Sequence, residues 1–93
     1  MDELVTLREK IEAIDEEMAV LFQKRMGIAK EIAIHKKEHG LPILDENREK
    51  TLMEKNSRLI EDEELVPYYV EFLETLLDCS KSWQEKVIEG AGE

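Results

Sequence analysis

The chain has 93 residues, enough for one domain at a size where burial alone leaves stability marginal. Its formal net charge of −10 argues against nucleic acid and anionic membrane surfaces as partners, so any anion site has to be a local basic pocket. A hydrophobic share of 42% beside 39% charged residues, with few aromatics and no alternating β-branched run, predicts a soluble all-α protein.

Met1-Asp2-Glu3 is acidic, and no apolar leader follows it. No later run reaches the length of a membrane span, so a cytoplasmic protein with a frayed first few residues is expected. Helix 1 is predicted over about 3–38. Written as a heptad, its a positions are Leu4, Ile11, Met18, Arg25 and Ile32, and its d positions are Leu7, Ile14, Leu21, Ile28 and His35. Gly27 lies off this seam, and Gly40 and Pro42 stop the run. Such a helix is about 50 Å long at 1.5 Å per residue. A compact domain of this size has a radius of gyration of about 12 Å, and the rest of the chain is too short to cover the seam. A second copy would cover it, which predicts an intertwined homodimer. His35 and His39 stand at i, i+4, but no third ligand accompanies them, so neither metal nor other cofactor is expected.

His39-Gly40-Leu41-Pro42 reads as a turn, and Asp45 as the N-cap of helix 2, predicted over about 46–60. Its apolar stripe is Leu52, Met53, Leu59 and Ile60, headed by Arg48 and Glu49. Glu61-Asp62-Glu63-Glu64 reads as a solvated connector. Helix 3 is predicted over about 67–88, with Pro67 in its first turn and the stripe Val66, Val70, Leu73, Leu77, Ser80, Gln84, Val87. The lone Cys79 excludes an intrachain disulfide and reads as a buried, inert thiol. Residues 89–93, ending Gly90-Ala91-Gly92-Glu93, read as a flexible tail or the stump of a linker.

Each helix carries polar groups on the face it should bury: Arg25, then Arg48 and Glu49, then Ser80 and Gln84. Burying an unpaired charge costs several kcal/mol. An internal salt-bridge network, Arg48 with Glu49 or Asp45, is one account. It leaves Arg25, Lys36 and Arg48 together with surplus positive charge, which a ligand bearing more than one carboxylate would balance. Arg25 and Lys36 are about three helical turns apart and share a face. Arg8 is about 25 Å from Arg25 along the same helix and reaches a common site only if it comes from an antiparallel partner copy. The set contains no nucleophile with an adjacent base and no phosphate loop. It suits clamping a polyanion in one conformation and stabilising developing charge with fixed donors.

The segments Leu7-Arg8-Glu9-Lys10-Ile11 with Ile14-Asp15, Lys24-Arg25 with Ile28-Ala29, Lys36, Pro42-Ile43-Leu44-Asp45-Glu46-Asn47-Arg48-Glu49, and Ser80 with Gln84 occur in that order. In this the chain resembles the all-helical, intertwined-dimer class of chorismate mutases over nearly its full length. The resemblance implies a unimolecular [3,3] rearrangement of chorismate to prephenate, a step of the shikimate pathway toward phenylalanine and tyrosine. It also implies residue roles. Arg25 and Arg8 of the partner subunit hold the two carboxylates, Lys36 and Gln84 donate to the ether oxygen, and Glu49 holds the ring hydroxyl. Asp45, Arg48 and Ser80 complete the pocket.

Three other readings compete. An isochorismate-pyruvate lyase shares the fold but lacks the acidic residue after the helix 2 arginine, whereas Asp45 and Glu49 are both present here. A non-catalytic dimerisation module would carry apolar residues in place of Arg25, Arg48 and Gln84. The third reading is the N-terminal mutase domain of a bifunctional enzyme.

Overall fold

The computed structural model describes residues 2–91. It consists of three α-helices, α1 (Glu3–Glu38), α2 (Glu46–Ser57) and α3 (Val66–Ala91), with a short 3-10 turn, Glu63–Leu65, leading into the last. No strand occurs among the described residues, so the all-α expectation holds.

The helix ends follow from local chemistry. Asp2 is an N-cap rather than a frayed residue: its carboxylate accepts from the Leu4 N–H at 3.0 Å. At the other end of α1, Gly40 takes φ 63°. The Leu41 N–H then reaches the Lys36 carbonyl at 2.8 Å and the Gly40 N–H the Lys37 carbonyl at 3.3 Å, the paired bonds of a Schellman stop. Lys36 and Lys37 place positive charge in that last turn, where the helix dipole favours it. Asp45 caps α2 as expected, accepting from the Arg48 N–H at 3.0 Å.

Two boundaries differ from expectation. α2 stops at Ser57 instead of running to 60. Leu59 and Ile60 bond back only three residues, to Asn56 and Ser57, residue types whose side chains compete with helical backbone bonding. α3 continues beyond 88 to Ala91, so Glu89, Gly90 and Ala91 are helical where a flexible tail was expected. Lys37 Nζ donates to the Ile88 carbonyl at 3.1 Å and ties this late turn to α1. Gly92 and Glu93, the rest of that tail, lie outside the described residues, as does Met1. The acidic connector is partly ordered as well: Asp62 accepts from the Glu64 N–H at 3.0 Å and starts the 3-10 turn.

α3 packs along the second half of α1, and α2 packs on α3. The buried apolar side chains are Ala29 and Ala33 from α1 with Leu73 and Leu77 from α3. The alanines let the two helices approach closely. Trp83 Nε1 can therefore donate to the Met26 carbonyl at 2.9 Å, and Gln84 Nε2 to the Ala29 carbonyl at 3.1 Å. The face α1 buries in its own chain is thus not the heptad seam. Leu4, Leu7, Ile11, Ile14, Met18 and Leu21 all remain exposed. The molecule extends 58 Å with a radius of gyration of 16.9 Å, against about 12 Å for a compact chain of this length. Its accessible surface is 7728 Å², whereas a globular monomer of its mass exposes about 5,600 Å². Cys79 is exposed, not buried. It stands in an apolar groove with Met18, Phe22, Phe72 and Leu76, a face that no other described residue covers.

Candidate active site

A cleft of about 470 Å³ opens between the second half of α1, the start of α2 and the middle of α3. α1 supplies Arg25 and Lys36 at its two ends, with Ile28, Ala29 and Ile32 as an apolar floor between them. α2 supplies Arg48 and Glu49 from its first turn, together with its cap Asp45. α3 supplies Ser80, Lys81 and Gln84. Every sequence-predicted site residue except Arg8 therefore meets in one place. Arg8 is exposed on the first third of α1 and does not line the cleft of its own chain.

The cleft holds four cations, Arg25, Lys36, Arg48 and Lys81, against two carboxylates, Asp45 and Glu49. This is the local basic pocket that an anion requires in a chain of net charge −10. The anticipated internal pairing of Arg48 with Glu49 or Asp45 is not what forms. Glu49 pairs instead with Lys81, both oxygens standing 3.2 Å from Nζ. Asp45 spends its acceptor on the Arg48 backbone. Among the described residues Arg25, Lys36 and Arg48 form no ion pair, so their charge is available to a ligand.

Several donors are held in place. Lys36 Nζ, which lines the cleft, donates to the Ile43 carbonyl at 2.7 Å, and this leaves two of its three N–H groups unused. Gln84 is buried, and its bond to the Ala29 carbonyl fixes the plane of the amide and leaves its second N–H. Ser80 is buried one turn away. Lys81 has its pKa raised from 10.5, first by its hydrogen bond to Glu49, partly opposed by desolvation, so it is charged across the neutral range. No group of three or more metal-ligating side chains occurs among the described residues.

Arrangements of this kind fix a small polyanion and present donors to it without offering a nucleophile. The sequence model of type II chorismate mutases matches residues 7–85, a span that contains every residue of the cleft. The chain belongs to that family.

Two characterised relatives agree with it. A chorismate mutase of Methanocaldococcus jannaschii is 27% identical over 90 residues, covering 96% of this chain and 91% of the relative. A bifunctional chorismate mutase/prephenate dehydratase of Aquifex aeolicus is 36% identical over 89 residues, covering 87% of this chain but 25% of the relative. No solved structure matches significantly.

Among the residues of this cleft, Lys81 escaped the sequence reading. Its signal was present: Leu77, Ser80, Lys81 and Gln84 stand at i, i+3, i+4 and i+7, one continuous helical face. A lysine beside an apolar stripe reads as solvated, and only the position of α2 shows what it faces.

Proposed function

We propose that the cleft is where this chain carries out the family reaction, the isomerisation of chorismate to prephenate. The observation that carries the proposal is the convergence of Arg25, Lys36, Arg48, Glu49 and Gln84 from three helices on one cleft with more cations than carboxylates. In the rearrangement an ether C–O bond breaks as a C–C bond forms. No atom enters or leaves, so neither nucleophile nor cofactor is called for. The work left to the protein is to hold the flexible dianion folded with its reacting ends together, and to meet the negative charge that grows on the ether oxygen.

In this reading Arg25 forks onto one substrate carboxylate, a task for which its planar donors are suited. Lys36 and the second N–H of Gln84 donate to the ether oxygen, where a donor shielded from water is worth far more than in solvent. Glu49 accepts from the ring hydroxyl, and Asp45, Arg48 and Ser80 complete the wall. The second carboxylate needs a further cation, which Arg8 of the partner subunit supplies. The bare seam of α1 and the surplus of exposed surface support a dimer. About 2,000 Å² per chain in excess of a globular monomer is the scale of an obligate interface.

The test is the disappearance of chorismate with identification of the product. Prephenate is expected. No turnover would overturn the proposal. If isochorismate is the substrate consumed, with release of pyruvate and an aromatic acid, the chain is a lyase.

A further inference from the structure

The proposed roles leave Lys81 without one, although it makes the two ion pairs found among the described residues. Asp78, one turn earlier on α3, is 3.6 Å away and largely exposed. Glu49, on α2, is 3.2 Å away by each oxygen and lies in the cleft. The ammonium thus reaches inward across the α2–α3 contact and closes on both oxygens of a single carboxylate.

We propose that Lys81 is a positioning residue for the reaction: by bridging both oxygens of Glu49 it fixes the rotation of that carboxylate and offsets its charge, so that Glu49 meets a dianionic substrate already aimed at the ring hydroxyl. This rests on the functional reading above. A carboxylate in a cleft that must admit two substrate carboxylates is repelled by its own ligand unless a cation is kept beside it. Among the described residues no other group around the cleft holds Glu49. Asp45 caps α2, Lys36 is tied to the Ile43 carbonyl, and Arg25 and Arg48 form no bond to Glu49. Lys81 acts through Glu49 and has no need to touch the substrate.

The experiment is a double-mutant cycle on kcat/KM for chorismate with Lys81→Met and Glu49→Gln, in dimers shown by thermal melting to be folded. Lys81→Met is expected to lose about threefold to fivefold, the upper range for a partly exposed charge pair. In the Glu49→Gln background the same change should cost less than about twofold, because the group Lys81 positions is gone. Lys81→Arg, which keeps charge and reach, should restore most of the loss. Equal losses in both backgrounds would overturn the inference, since a structural role or direct substrate contact predicts that result. So would Lys81→Arg falling as far as Lys81→Met, or Lys81→Met matching the wild type. A wild-type chain that leaves chorismate unchanged overturns the functional reading itself, whereas active wild type with multiplicative losses overturns only the role of Lys81.

Discussion

Gln84 donates to the backbone carbonyl of Ala29 across the α1–α3 interface, 3.1 Å from nitrogen to oxygen. The amide has two N–H groups, and this bond uses one. Gln84→Glu would leave at most one proton for two acceptors, the Ala29 carbonyl and, in the proposed reading, the substrate ether oxygen. The deprotonated form has none and sets a carboxylate against both. Activity of the variant should therefore be highest in acid and fall as pH rises. Wild type should stay nearly flat between about pH 5.5 and 8.5, because an amide does not titrate there. Folding stability of the variant at neutral pH should drop by about 1–3 kcal/mol through the unsatisfied interhelix contact. Pre-steady-state or steady-state pH profiles decide it: full activity with a flat profile to pH 8 would place Gln84 away from the ether oxygen.

The exposed seam of α1, from Leu4 to Leu21, predicts that the chain is an obligate dimer. Sedimentation equilibrium at micromolar concentration should give twice the chain mass. A folded monomer there would remove both the dimer and the shared site.

Arg8 and Arg25 supply a sharper test of whether the site is shared. Arg8→Ala and Arg25→Ala should each lose about 3 kcal/mol or more of transition-state stabilisation. If Arg8 serves the other subunit, a heterodimer of the two variants holds one site with both lesions and one intact site. Mixing and refolding should then recover up to about half of wild-type activity per heterodimer. Heterodimers that form and stay inactive would put both arginines in one chain's site.

Gly40 offers a control remote from the charge chemistry. It stands at φ 63° with open space where a Cβ would go, so any cost of a side chain is backbone strain alone. Gly40→Ala should destabilise the dimer by about 1–2 kcal/mol, read as a lowered thermal midpoint. A midpoint equal to wild type would mean the stop after α1 tolerates another conformation.

Much of this was legible in the residues because it depends on local chemistry. Asp45 ahead of Arg48 and Glu49, Gly40 ahead of Pro42, and polar groups at Arg25, Ser80 and Gln84 on otherwise apolar stripes gave both the helices and most of the cleft. What escaped depends on distance between elements. Lys81 became a cleft residue only when α2 was laid against α3. Cys79 looked buried because its neighbours are apolar, yet it opens onto an uncovered groove. Helix 1 was expected to leave its a and d seam for a second copy to cover; which face it would bury inside the chain was not legible, and that face holds Ala29 and Ala33, whose small side chains let α3 come close. Periodicity marked the apolar positions without saying which of them a single chain satisfies.

α1 runs for 36 residues, from its Asp2 cap to the Gly40 stop. It therefore behaves as a ruler, with Arg8 and Arg25 engraved on it. Removing one residue between them shifts one mark by about 1.5 Å and turns it by about 100° against the other, and a regular helix has no slack in which to absorb the error. The segment between α2 and the Asp62 cap carries no such graduation, and a residue lost there shortens a connector without moving one cleft residue of α1 against another. Length variation among proteins built on this plan should accordingly gather around residues 58–62 and be absent between 8 and 25.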